Sequence, residues 1–509
     1  MSPCFSVPIL DYLSRPPNIP RMSLDQLNTL CEELRLLSST ASVLNWDQET
    51  YMPQDAVQYR AKQISYLKTK AHELKTSPEF QQALEAAEDA PAPTPHDAAN
   101  LRDWRTQFDR NTKLPTSFVE EFSQTTTLAN SAWGQAKDNS DFSTFEPHLA
   151  KIVDFTKQKA DLFGYQNEPY EALMNLYEDG LTVQEVEGLF TQLHPELIKL
   201  QEATKERRLN PLTLPPGSFP QEQQACFNQQ VAASLGFDFN KGRIDTTSHP
   251  FCTTLGPEDV RLTTRYDEND FTSSLFGVMH ETGHGLYEQG LPSQYHHLPV
   301  GDAVSLGIHE SQSLFWETHV GRSEAFWQKW FPVAVEHFPA LSTMELDQFI
   351  QYIHRPHFTP IRVDSDEVSY DLHIILRFRI ERMLLNGEIT TKQVPETWND
   401  LFHESFGVYP ENDAKGCLQD IHWSFGGLGY FPTYTLGNII SAQLFNTAME
   451  DQSIASAFAT ADFSPTLDWL RSQIHTPGRL LTSNDLVKQA TGAPINTDSY
   501  LAHLTKRYA

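Results

Sequence analysis

The residues with the most chemistry to offer are His280-Glu281-Thr282-Gly283-His284. On a helix, positions four apart share a face about 6 Å apart along the axis, so both imidazoles can reach one metal ion. Glu281 then projects to where a water on that ion would lie and can take its proton, the arrangement of a metal-dependent hydrolase. Two histidines leave a catalytic ion one protein ligand short. A third histidine six positions past the second is missing, because Gly290 stands there. Glu288, one turn past His284, shares the helix axis and would draw the ion along it. The third ligand is therefore expected from another element. Glu310, in Gly307-Ile308-His309-Glu310-Ser311-Gln312-Ser313, is the first candidate, with His309 as its rival or as a residue behind the ligands.

The element that must carry the motif is a helix over residues 271–290. Leu275, Val278, Met279 and Leu286 give it a buried side, Thr272 or Ser273 can cap its start, and Gly290 before Leu291-Pro292 marks its stop. Gly283 and Gly285 cost about 1 kcal/mol each against Ala inside a helix, which predicts that something comes close to that backbone. Helical periodicity begins with Ser23, read as a cap after Met22, and puts Leu24, Leu27, Leu30, Cys31, Leu34 and Leu37 on one face. Further helices are expected over about 54–75, 97–112, 115–138, 145–163, 168–178 and 182–206, the last entered through Thr182 with Glu185 three residues on. Pro91, Pro93 and Pro95 make a loop, and 210–220 is another break before helix resumes near Gln221. Between about 243 and 268, runs such as Val260-Arg261-Leu262-Thr263-Thr264 predict a small sheet. From about 271 the chain is mainly helical. Residues 1–22 are expected to be an extension and 23–509 one catalytic domain, since no repeat or composition break marks a second.

The 509 residues carry 38 Lys+Arg against 66 Asp+Glu, a formal net charge of −28, with 39% hydrophobic residues. That much apolar material supports a folded core. A field of this sign repels phosphate, so neither nucleic acid nor an anionic membrane is an expected partner. The stretch from Ile421 to Met449 lacks Asp, Glu, Lys and Arg, but Gly426, Gly427, Gly429 and Pro432 break it. It reads as buried backbone near a site, not as a membrane span. The five cysteines (Cys4, Cys31, Cys226, Cys252, Cys417) contain no Cys-x-x-Cys pair, which argues against a thiolate zinc site or a disulfide framework. With no basic residue before Arg15 and Pro8 inside its short apolar run, the N-terminus fails as a signal peptide, and a cytoplasmic location is expected.

Several motifs accompany the His-Glu-x-x-His: Leu44-Asn45-Trp46-Asp47-Gln48-Glu49-Thr50-Tyr51-Met52-Pro53, His249-Pro250-Phe251, Asp259-Val260-Arg261-Leu262-Thr263 and His309-Glu310-Ser311-Gln312. Then follow Ile361-Arg362-Val363-Asp364-Ser365-Asp366, Gly416-Cys417-Leu418-Gln419-Asp420-Ile421-His422-Trp423 and Gly429-Tyr430-Phe431-Pro432-Thr433-Tyr434. Through them the chain, from about Met22, resembles the carboxypeptidase Taq family of metallocarboxypeptidases. The resemblance implies a mostly α-helical fold with a deep central groove, similar to neurolysin and angiotensin-converting enzyme, in a homodimer. It also implies removal of single C-terminal residues from peptides with broad preference. Ser365 stands where the family usually has Ala, and residues 1–21 have no counterpart in it.

The expected mechanism places one divalent ion on His280, His284 and Glu310, zinc first, with cobalt or manganese also suited to such ligands. Glu281 is the general base. The free C-terminal carboxylate of a peptide asks for an arginine fork. Arg362, through the family's Ile-Arg motif, is the first candidate and Arg261 the second, each alternatively a structural ion pair with Asp259, Asp364 or Asp366. Tyr434, Tyr370 and His422 are candidates for the developing oxyanion, Tyr434 first. His249 and Asp259 are expected to orient substrate or the sheet, and Trp46 to pack the first helix. The alternative functions are an endo-acting oligopeptidase of the same zinc chemistry and a catalytically silent helical binding protein.

Overall fold

Leucines and aromatics at helical spacing give helices along almost the whole chain in a computed structural model, which describes residues 19–209 and 212–509. The first are α1 (Ile19–Thr50), α2 (Val57–Lys75), α3 (Pro78–Glu88), α4 (Pro95–Lys113), α5 (Thr116–Asn139), α6 (Phe142–Phe163), α7 (Pro169–Met174), α8 (Val183–Leu209) and α9 (Gln221–Leu235). Three strands then form a small sheet, β1 (Gly242–Thr246), β2 (Cys252–Gly256) and β3 (Asp259–Thr264), in the order β1-β3-β2. The outer strand β1 runs parallel to β3 and β2 antiparallel. Helices resume with α10 (Phe271–Gly290), α11 (Leu306–Leu314), α12 (Glu324–His337), α13 (Leu346–Ile353), α14 (Tyr370–Asn386) and α15 (Val394–Phe406). The chain closes with α16 (Pro432–Glu450), α17 (Gln452–Ala459), α18 (Ser464–Leu470), α19 (Ser483–Thr491) and α20 (Asp498–Tyr508).

Where the elements differ from expectation, the cause is local. Helix α1 begins at Ile19, so Ser23 lies inside it and does not cap it. The rest of the expected extension, residues 1–18, lies outside the described residues. Helix α10 has the expected bounds, but its cap is Asp270 and not Thr272 or Ser273. The Asp270 carboxylate accepts the Thr272 backbone N–H at 2.9 Å and adds a negative charge at the positive end of the helix. Helix α3, absent from the sequence reading, starts on Ser77, whose hydroxyl accepts from Phe80 N at 3.1 Å with Pro78 in the first helical position. The stretch expected as a helix over 168–178 is helical only through α7.

The apolar side chains bury in two clusters. The larger spans α5 to α20 and the sheet and includes Phe271, Tyr287, Trp316 and Trp327, each fully buried. The smaller joins Leu27 and Leu34 of α1, Phe80 and Leu84 of α3, and Trp104 and Phe108 of α4, and is covered by Leu298 and Val300 from the segment after α10. The charge-free stretch from Ile421 becomes a short 3-10 turn over His422–Phe425, a loop and nearly all of α16, most of that helix buried. Helix α20 returns to the middle of the molecule, where the Arg507 guanidinium and the Tyr508 hydroxyl bond Glu367 at 2.7 and 2.6 Å. Among the described residues no helix is long and apolar enough to cross a membrane.

Candidate metal centre

Glycines let three helices close on one point. A Cβ on Gly283 would lie 2.4 Å from the Gln312 carbonyl oxygen and 2.6 Å from Ser313 Cα, so only glycine allows α11 to cross α10 beside the histidines. On α16, a Cβ at Gly437 would meet Glu310 Cγ at 2.5 Å. The helix-weakening glycines of α10 thus have the close neighbours their cost predicts, with Phe237 filling the place over Gly285.

His280, His284 and Glu310 each offer a ligand atom within 4.8 Å of the other two. Glu310 Oε2 stands 3.9 Å from His280 Nε2 and 3.7 Å from His284 Nε2. The opposite ring nitrogens are committed elsewhere, which leaves both Nε2 lone pairs for an ion. His280 Nδ1 is 3.0 Å from Glu317 Oε2, and Glu317 Oε1 accepts from Arg322 at 3.1 Å. His284 Nδ1 is 2.6 Å from His309 Nδ1, whose Nε2 is 2.8 Å from Glu288 Oε1; Glu288 Oε2 accepts from the Thr254 hydroxyl at 2.6 Å. His309 therefore sits behind His284, and Glu310 faces both Nε2 atoms. Each imidazole is oriented by a carboxylate chain, as metal-binding histidines are.

The donor set fits a divalent cation. Burial drives His284 well below the ordinary imidazole range, keeping it in the neutral, ligating form. Burial opposes a proton on His280 too, yet the Glu310 charge and the Glu317 hydrogen bond lift it to about 10, so this acidic cluster calls for a positive charge at the point where the ligand atoms meet. Glu281, 7% exposed, stands beside them, its carboxyl pushed up to about 7 chiefly by burial.

His280 and Glu310 open into a cavity of about 530 Å³ whose wall also carries Arg362, Tyr370 and Tyr434. Arg362 is 5% exposed, and its partner is Asp420, not Asp259, Asp364 or Asp366. Nε and Nη2 donate to Asp420, the closest contact being 2.8 Å, and Nη1 donates to the Tyr370 hydroxyl at 2.8 Å. Asp420 is shared with the fully buried Arg377, whose Nε donates to it at 2.7 Å. Gln419 accepts the Arg362 backbone N–H at 2.8 Å, and the Trp423 indole donates to buried Glu381 at 2.8 Å. The Gly416–Trp423 motif is thus a cradle for Arg362. His422 Nε2 lies 3.4 Å from the Tyr434 hydroxyl, and burial lowers the ring to about 4, so it is neutral. Ser365 donates to the Ile361 carbonyl at 3.0 Å, which is why a hydroxyl is accommodated there.

Arg261 and His249 are not among the residues of this wall. Arg261 is engaged by Asp259 at 2.8 Å and stacks over Trp46 at 4.2 Å, tying α1 to the sheet. His249 is exposed between β1 and β2. Sequence reasoning missed Glu317, Arg322, Arg355 and Asp420. Glu317 had a signal, lying two helical turns after Glu310; Asp420 stood in the Gly416–Trp423 motif, but at 58 residues from Arg362 nothing marked the two as partners.

The family model of the carboxypeptidase Taq (M32) metallopeptidases matches residues 26–508. The chain is 37% identical over 504 residues to thermostable carboxypeptidase 1 of Thermus thermophilus, covering 96% of this chain and 99% of the relative. Its fold matches an M32 carboxypeptidase from Deinococcus radiodurans R1 with a TM-score of 0.92 at 35% identity, over 96% of this chain and 99% of the other. A Pyrococcus furiosus carboxypeptidase matches with a TM-score of 0.93, also at 35% identity and over the same shares of each chain.

Proposed function

As a member of the carboxypeptidase Taq family of metallopeptidases this chain is a metallocarboxypeptidase, and we propose that it releases single C-terminal amino acids from peptides of broad sequence, with zinc held by His280, His284 and Glu310. The observation that carries this reading is the convergence of those three ligand atoms within 4.8 Å on a cavity that also presents Arg362. When bound there, a divalent ion supplies Lewis-acid polarisation of the scissile carbonyl and makes water a stronger acid. Glu281 takes the proton of the attacking water on its carboxylate and then delivers it to the departing amide nitrogen. Burial holds the carboxyl near the pH at which it can do both.

Arg362 keeps one N–H on each terminal nitrogen free of Asp420 and Tyr370, and these bind the α-carboxylate of the substrate. Tyr434, ahead of Tyr370 and His422, donates to the oxygen that gains charge as the carbonyl is attacked. A homodimeric assembly and a cytoplasmic location complete the proposal; cobalt and manganese are the alternatives to zinc that such ligands also suit. One N-blocked peptide prepared as the free acid and as the C-terminal amide tests it: fast release from the acid alone is expected, and equal rates would make the protein an endo-acting oligopeptidase. Elemental analysis of protein purified without added metal identifies the ion.

A further inference from the structure

Gly283 and Gly437 set how near α10 and α16 lie to α11, whereas how far α11 slides along them is set at its end. For a ligand set that slide matters, because metal–ligand distances tolerate only about 0.2 Å. Helix α11 is nine residues long and carries Glu310 in its second turn, so its start governs where that carboxylate stands. The first N–H groups of a helix have no partner within it, and here each finds one outside. The Leu306 N–H donates to the Tyr177 carbonyl at 3.2 Å, the Gly307 N–H to the Glu178 carboxylate, and the Ile308 N–H to the Ser305 hydroxyl at 3.1 Å. Two of these partners are neighbours in the turns that follow α7. A Cβ on Gly307 would lie 2.8 Å from Glu178 Oε1 and 3.1 Å from its Cδ, so glycine lets the carboxylate sit against the backbone. Glu178 is fully buried and is not part of the wall of the substrate cavity. Burial pushes its carboxyl up to about 7, against the pull of the Gly307 N–H, the Ser305 and Ser483 hydroxyls and the Arg479 charge. A buried carboxylate is unfavourable unless it meets donors, and the positive end of α11 supplies them.

We propose that Glu178 is a positioning residue for the metal centre: its carboxylate seats the first turn of α11, and through that helix holds Glu310 opposite His280 and His284. This rests on the metal-centre reading above. The test measures the zinc affinity of the full chain by competition with a chelator, with no peptide present. Glu178→Ala should weaken it by about 10- to 100-fold. Glu178→Gln, which keeps an oxygen for the Gly307 N–H and is the safer variant for folding, should recover most of that loss. Gly307→Ala should also weaken zinc binding, since its methyl displaces the carboxylate although Ala is the better helix former. Leu84→Ala, in the smaller apolar cluster, controls for stability: it should lower the melting temperature and leave zinc affinity within about twofold of the wild type. One zinc per wild-type chain, with peptidase activity that a chelator abolishes, upholds the underlying reading by itself, so the variants judge Glu178 alone. Should Glu178→Ala fail to fold, Gly307→Ala decides. Zinc affinity unchanged in Gly307→Ala, or lost as much in Leu84→Ala, would overturn the proposal.

Discussion

Glu281 and the carboxylates behind the histidines have separable jobs. Glu281→Gln keeps the size of the side chain and removes the proton acceptor, so kcat should fall by about 10²- to 10⁴-fold while elemental analysis still finds one ion per chain. Glu317→Gln should instead weaken metal binding by about 10- to 100-fold, read by competition with a chelator, because His280 loses the carboxylate that fixes its ring. The sequence makes the first of these residues plain and marks the second only by its spacing from Glu310. His280, Glu281 and His284 are neighbours on one helix, so spacing alone brings them together. Glu310 comes from another helix, and only the shortage of a ligand points to it. Asp420 meets Arg362 through tertiary folding, which no local pattern encodes.

At the scale of helices, the site depends on how closely α11 and α16 approach α10. Gly283→Ala places a methyl against the backbone of Gln312 and Ser313, which cannot swing away. It should cost about 1–3 kcal/mol by overpacking and lower metal affinity as Glu310 is pushed off the histidines. Gly277→Ala is the internal control on the same helix: its nearest foreign atom would be at 4.0 Å, so helix propensity dominates and the melting temperature should rise. Equal effects of the two changes in thermal melts would refute the close-approach account. Periodicity found α10 and the sheet because burial repeats there with the pleat or the turn. It did not find the π-helical turn over Phe315–Val320, in which Glu317 is carried beside His280. A change of helical pitch leaves no mark in the order of apolar residues.

For the molecule as a whole, charge sets two expectations. Burial opposes ionisation of Asp420 and Glu367, yet Arg377 with Arg362, and Arg507 with His503, hold both carboxyls below their usual range. The unfolded chain therefore takes up protons first as the pH falls. The stability these groups supply is complete above about pH 4 and drains away below it, which thermal melts at successive pH values should show as a steep loss in acid. The net charge of −28 acts at longer range. Raising the ionic strength from about 0.01 M to 0.15 M shortens the screening length from about 30 Å to 8 Å, so kcat/KM for acidic peptides should rise relative to basic ones. Helix α20 adds a constraint of another kind. Tyr508 forms part of the wall of the substrate cavity, and Arg507 and Tyr508 together brace Glu367, while every metal ligand lies far earlier in the chain. During synthesis the ligands leave the ribosome long before that wall exists. Completion of the substrate cavity waits until α20 has been made, a delay in time that the metal cluster could not impose on itself.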